Sequence, residues 1–323
     1  MKYLSTWQED LTPEIKRRAE EELGETPEIK TQSLMKLRKL INEEAEFRPL
    51  MDDAFLIRFL RTKKYDVERA FTSLRNYYVF KARYSRQLTD FKPSELLPLL
   101  EMNSVVHLPY RHPYGTAVAY MRPAYYNIDE VTLEEIFAVG LLELEYSLRF
   151  EATQVCGHIM IFDMDKINLR IMKYYASPKI LYRCVRLIQD CIPCRVKGIH
   201  FINEPFYISF VFNIIKGFLS EKIRKRIHLH GANQESLHQH IPADILPEEL
   251  GGNLGPVALL ANDFNKTIIR AETMFEKLIK YGFHEKRIQH IKRQNSNAAF
   301  FKHGDVGSLF EKAVGSGVDI TVI

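Results

Sequence analysis

At about residue 100 the hydrophobic period of this chain changes, and that change restricts the folds open to it. Before it, "DDAFLIRFLRTKKYDVERAFTSLRNYYVFKARY" sets Phe55, Leu56, Phe59 and Leu60, then Val67, Phe71, Leu74 and Tyr78, at the three-and-four spacing of amphipathic helices. "TPEIKRRAEEEL" adds a helix with Thr12 as its cap and Pro13 at its first position. After the change, the short apolar runs "SVVHL", "TAVAYM", "HIMIFD", "VKGIHFIN" and "RIHLHG" alternate with helical patterns over 132–150, 171–192 and 206–223. Strand–helix alternation predicts βαβ units around a buried, mainly parallel sheet. The fold class is therefore α/β, an N-terminal all-helical bundle followed by a mainly parallel β-sheet flanked by helices. Expected domains are 1–90 (helical), 91–256 (sheet) and 257–323 (a helix and tail). "IPADILPEELGGNLGP" closes the sheet region with the punctuation of a boundary, and 262–293 reads as one polar helix.

Several function classes lose support early. A net charge of +4 over 323 residues is too even for a strongly basic nucleic-acid binder, so any basic function needs a local patch. No run approaches the roughly 18 apolar residues of a spanning helix, and the N-terminus lacks an apolar signal core, which predicts a cytoplasmic protein. No G-x-G-x-x-G, G-x-x-x-x-G-K-[ST] or G-x-S-x-G motif occurs.

The pair Cys191 and Cys194 in "QDCIPC" has the spacing of a redox dithiol or half a zinc site. A redox pair needs its first thiol at a helix N-terminus, where the dipole lowers its pKa. Here Cys184, Leu187, Ile188, Cys191 and Ile192 form an apolar stripe that ends a helix, and Pro193 stops it. No second Cys-x-x-Cys offers the rest of a zinc site. Buried, inert thiols are the simpler reading. Asp163 and Asp165 of "FDMD" read as loop capping, and His228 and His230 as packing or surface; no metal and no cofactor is expected.

The segment "PFYISFVFNIIKGFL" is apolar nearly all round, as suits a helix that is buried, set in a membrane interface or covering something apolar. "SEKIRKRIH" follows with Lys222, Arg224, Lys225 and Arg226, and "CRVKGIH" and "IRFLRTKK" add Arg195, Lys197, Arg58 and Arg61. Such mixing of rings and cations suits an interface where Lys and Arg snorkel to phosphates. Converging cations could hold a phosphorylated headgroup; each cluster could also be solvated surface.

"RFLRTKKYDVERAFTSLRNYY", "GIHFINEPF", "KGFLSEKIRKRIHLHG" and "LPEELGG" resemble the CRAL-TRIO lipid-transfer proteins, in the group of the alpha-tocopherol transfer and cellular retinaldehyde-binding proteins. The resemblance covers residues 30–255. It implies a hydrophobic cavity that holds one lipophilic molecule beneath a mobile gate helix, with exchange at phosphoinositide-bearing membranes. The implied gate is 203–223, with Phe206, Phe210, Phe212, Ile215, Phe218 and Leu219. The implied cavity wall is Phe137, Gly140, Leu141, Leu144, His158, Met160, Cys184, Leu187, Ile188, Ile192, Val196 and Ile199. The implied headgroup contacts are Arg195, Lys197, Lys222 and Arg226, with Arg61 as a fifth. Two departures stand out: Lys216-Gly217-Phe218 replaces the gate's usual Lys-Pro-Phe, and "FDMDKIN" lacks the usual Gly after its acid pair.

The expectation is a carrier of a retinoid, tocopherol or similar molecule, not an enzyme, transiently peripheral on endomembranes. The alternatives are a phosphoinositide sensor or trafficking adaptor without cargo, and a thiol oxidoreductase. The ending "DITVI", with Thr321 and Ile323, fits a PDZ-type ligand, although a loose tail explains it more simply.

Overall fold

The computed structural model describes residues 3–7, 9, 11–175, 178–206, 208, 212 and 216–296. Gate positions Phe210 and Ile215 and the C-terminal "DITVI" lie outside the described residues.

Helices α1 (Pro13–Leu23) and α2 (Pro27–Glu43) each start with proline behind a threonine, and Thr12 and Thr26 accept from the amides of Ile15 and Ile29. Strand β1 (Phe47–Arg48) leads to α3 (Asp53–Thr62) and α4 (Val67–Tyr84), the latter capped by Asp66. The three-and-four positions read from the sequence meet here: Phe55, Leu56, Phe59 and Leu60 pack on Val67, Leu74 and Tyr78, with Leu37 and Ile41 of α2 behind them. Short α5 (Leu97–Glu101) connects this bundle to the sheet.

Strands β2 (Val105–His107), β3 (Ala117–Met121), β4 (His158–Asp163), β5 (Val196–Ile202) and β6 (Ile227–Leu229) form one sheet in sequence order. Only β2–β3 is antiparallel; the other three pairings are parallel. The crossovers carry α6 (Leu133–Ser147) and α7 (Glu151–Cys156), then α8 (Leu169–Tyr175) and α9 (Pro178–Arg186), then α10 (Glu221–Arg224). Thr132 and Glu135 close a capping box at the start of α6. The sheet's outer face packs Val118, Tyr120, Ile159 and Ile161 against Leu237 of α11 (Gln234–His238) and against Ile241, Ile245 and Leu246. The chain then returns through α12 (Val257–Arg270), α13 (Glu272–Ile279), β7 (Gly282–Phe283) and α14 (Glu285–Ser296).

Three expected elements differ. The single polar helix over 262–293 is α12, α13 and α14 with β7 between them. It is not polar throughout, since Phe264, Ile268, Phe275, Leu278 and Ile291 are buried. Its break follows from a pairing no local pattern announces: β7 joins β1 antiparallel, Phe47 opposite Phe283 with their rings stacked 4.7 Å apart. The helix over 171–192 is α8 and α9 followed by a π-turn at Leu187–Cys191, closed by the Ile192 amide on the Leu187 carbonyl. In 206–223, Lys222 lies on the separate α10, which Ser220 caps, rather than on one helix continuous from Phe206.

Candidate functional site

A hollow of about 370 Å³ lies against the inner face of the sheet. Strand β4 supplies His158 and Met160 to it, and β5 supplies Val196 and Ile199. Strict alternation would put Val196 and Ile199 on opposite faces. A β-bulge resolves this: His158 pairs with Val196 but Ile159 pairs with Gly198, so Lys197 is the extra residue. Phe137, Gly140, Leu141 and Leu144 of α6 form the facing wall, and Cys184, Leu187, Ile188 and Ile192 the third side. Of the residues expected to form a gate, Phe212 and Leu219 also line the hollow, whereas Phe206 is 79% and Phe218 44% exposed.

The cysteine stripe is not continuous. Leu187 and Ile188 face the hollow, but the π-turn carries Cys191 round to Phe80 on α4, and Cys194 takes a place on the hollow instead. Burial pushes the thiols of Cys184, Cys191 and Cys194 up to about 12, which leaves no thiolate at neutral pH.

Arg195, Lys197, Lys222 and Arg226 converge beside the start of β5. The Arg195 guanidinium donates to Glu22 Oε2 on α1 at 2.8 Å and to the Val155 carbonyl, Lys197 Nζ donates to the same Glu22 oxygen at 3.2 Å, and Arg226 donates to the Val196 carbonyl. Burial, then repulsion from Arg226, Arg195, Lys63 and Lys64, lowers the Lys222 pKa. Lys197 and Arg226 are lowered too, by burial first and Arg195 next. Burial works against the Glu22 carboxylate, but Arg195 and Lys197 more than offset it and hold its pKa below the usual range.

Arg61 does not join this cluster. Its side chain is fully buried, with Nε and Nη2 on Glu25 at 2.8 and 2.7 Å, Nη2 on Glu151 at 2.6 Å and Nη1 on Gln154 at 2.7 Å. Burial opposes its charge, yet Glu25 and then Glu151 raise its pKa above the ordinary value. Arg58 is likewise paired with Glu145 of α6. Both arginines tie the bundle to the sheet region. Lys63 and Lys64, two and three residues on in the same "RTKK", are the cations of this segment that act on Lys222.

Sequence reasoning also missed Ser104, His107, Tyr126 and Glu143, which line the hollow. The signal was available for Glu143: it stands seven residues after Ile136 and three after Gly140, on the stripe of α6 that meets the hollow. Elsewhere, Asp163 is spent on loop capping, accepting from the Asp165 amide, Asn203 Nδ2 and the Tyr120 hydroxyl. Lys166 adopts φ +61 in the loop that lacks the family's glycine. His228 and His230 join His200 and His240 in one ring cluster on the outer face. Among the described residues no group of three or more His, Cys, Asp or Glu is arranged to hold a metal ion, and no helix is long and apolar enough to cross a membrane.

The CRAL/TRIO domain description matches residues 101–252, which includes all five strands of the large sheet. Alpha-tocopherol transfer protein-like of Homo sapiens is 34% identical over 268 residues, covering 83% of this chain and 78% of that protein. The chain belongs to the CRAL/TRIO family. Clavesin-2 of Homo sapiens, 33% identical over 252 residues, covers 77% of each chain. The crystal structure of Sfh5 covers 82% of this CRAL/TRIO chain and 99% of its own at 12% identity, with a TM-score of 0.45.

Proposed function

We propose that this CRAL/TRIO protein carries one lipophilic molecule in its hollow and exchanges it at phosphoinositide-containing membranes. At the family level it is a lipid-binding transfer protein rather than an enzyme, and one relative is named for tocopherol transfer. The observation that carries the reading is the hollow itself: about 370 Å³, lined almost wholly by apolar side chains. Apolar surface left wet in so large a space is costly, at about 25 cal/mol per Å², and a cargo lipid removes it from water.

The segment 203–223 serves as the gate. Phe212 and Leu219 cover the cargo, while Phe206 and Phe218, exposed in this state, enter lipid at a membrane. Arg195, Lys197, Lys222 and Arg226 take the headgroup phosphates, helped by Lys63 and Lys64; Arg61 is occupied by carboxylates and is left out of the set. One carboxylate, Glu22, holds two of the four cations in the place a phosphate would take. The cations repel one another, so an arriving polyanion relieves strain that Glu22 relieves only in part. This reading makes the protein cytoplasmic and transiently peripheral on endomembranes.

Two measurements test it. Organic extraction of the purified protein followed by mass spectrometry yields a bound lipophile at near one per chain; an empty hollow points to a phosphoinositide sensor instead. The double variant Lys222→Ala/Arg226→Ala keeps that lipophile but loses the acceleration that phosphoinositide gives to transfer between vesicles, about tenfold or more if two charge-assisted contacts are lost. Unchanged acceleration would remove the headgroup assignment.

A further inference from the structure

The hollow has one polar end. Ser104, His107, Tyr126, Glu143 and His158 are each at most 5% exposed and all line it. Buried polar atoms in native proteins are nearly always paired. Here His107 Nδ1 and Glu143 Oε2 have no hydrogen-bond partner, Ser104 Oγ and Tyr126 Oη have at most each other, and His158 has at most the Ile159 backbone beside it. His107 Nε2 stands 3.8 Å from Glu143 Oε2, too long for a hydrogen bond. Polar groups so sparsely matched, gathered at one end of an apolar hollow, describe a site built for a group that is not part of the protein.

The group is held in shape from behind. His107 stacks on Phe264 of α12 with ring centroids 3.9 Å apart and planes 11° apart, and its edge meets His158 at 5.3 Å. Trp7 and Tyr146 pack round the same Phe264 ring at 5.3 and 5.4 Å. On the sheet side, Ala119 supplies only a methyl, which leaves room above the floor. Burial also disfavours charge at this end of the hollow. Burial moves His107 well below its usual range, takes His158 down to about 4 and holds the Glu143 carboxyl well above its range. Arg122, the cation on the wall, donates from Nη2 to the Asn103 carbonyl at 2.6 Å and lies over the Tyr125 ring at 4.0 Å, with its Nε unpartnered.

We infer that the cargo is a lipid alcohol, seated head-first so that its hydroxyl meets Glu143, His107 and His158 while its apolar body fills the rest of the hollow. This rests on the carrier reading above. Each neutral imidazole has one nitrogen lone pair to receive a proton, and a protonated carboxyl and a phenol each have a proton to give. A hydroxyl answers both needs; an ether answers one and a hydrocarbon neither. A carboxylate would find one cation on the wall, Arg122, whose Nη2 is already on the Asn103 carbonyl and whose plane lies over Tyr125. Sites with buried polar groups of this kind reject analogues that leave them unpaired.

The test is displacement of Nile red from the full chain by four molecules of one body: hexadecan-1-ol, 1-methoxyhexadecane, hexadecane and hexadecanoate. The alcohol displaces the dye at concentrations about tenfold or more below the ether and the hydrocarbon. His158→Leu brings that ratio close to one and raises the melting temperature of the empty protein, because sparsely matched nitrogens are removed; Glu143→Leu does the same if His158→Leu does not fold. Equal binding of alcohol and hydrocarbon, tighter binding of the carboxylate, or a ratio that survives both leucine variants overturns the assignment. Failure of all four, together with an empty extract, removes the carrier reading and this one with it.

Discussion

At the scale of the residue, Gly157 shows how tightly the site's frame is drawn. It ends α7 at φ +86 and ψ −165, a conformation closed to side chains. A Cβ there would stand 2.1 Å from the Arg195 carbonyl and 2.9 Å from the Lys197 side chain. Gly157→Ala therefore has to push β5 away from β4 at the bulge that presents the basic cluster. We expect a loss of about 3 kcal/mol or more in urea unfolding, together with weaker phosphoinositide binding; a wild-type midpoint would show that the strands separate easily. The residue scale is also where sequence reading succeeded least evenly. The wall positions of α6 and β4, implied by the family resemblance, are spaced at periods near 3.6 and 2 and line the hollow. Cys191 and Arg61 do not obey simple periods. A single wide π-turn moves the first to the other side of its helix, and carboxylates 36 and 90 residues away consume the second.

At the scale of the element, the outer edge of the sheet carries a feature with a pH signature. His200 on β5 stacks on His228 of β6 at 4.7 Å and bonds His230 Nε2 through its own Nδ1 at 2.9 Å; His240 lies 4.3 Å from the His228 ring. His112 is near, bound to the His240 carbonyl, and Ser236 holds the other nitrogen of His230. Burial, then repulsion within the cluster, takes His200 down to about 3; burial, then His240, takes His230 to about 4. Histidine in the unfolded chain titrates near 6.5, so between that value and the folded ones the unfolded state binds more protons. Their contribution to stability is complete above about pH 6.5 and is lost as the pH falls toward 4. The slope reaches at most about 1.4 kcal/mol per pH unit for His200. Urea midpoints should fall between pH 6.5 and 5, and fall less in His200→Gln; a flat midpoint there would mean that the folded rings bind protons as readily as the unfolded ones. The strands bearing these rings were readable as alternating apolar runs. The cluster was not, because His112 and His240 come to it from loops.

At the scale of the molecule, the charged and apolar features sit where two cores meet. Phe80, Tyr84 and Leu88 from the helical part share a cluster with Leu187, Ile192, Val196 and Ile199 of the sheet region, so the boundary near residue 90 is not a gap in the packing. Segment 257–296 ties both cores: Phe264 and Ile268 pack with Leu142 and Tyr146 of α6, while Phe283 and Ile291 pack with Phe47 and Leu74 of the bundle. Deleting everything after residue 256 should lower the melting temperature by well over 10 °C or leave the chain insoluble, since several large buried side chains lose their cover. A truncated chain that melts with the full one would show the segment to be an ornament.

The seating of Phe264 behind His107 has a consequence for the making of the protein. On a ribosome the chain leaves N-terminus first, so the five strands of the sheet are all available before Phe264 emerges, and β1 waits longer still for Phe283. Imidazole and strand edge alike are bare until then. The hollow is finished by one of the last stretches of the chain to be synthesised, and until then it is a room with one wall missing.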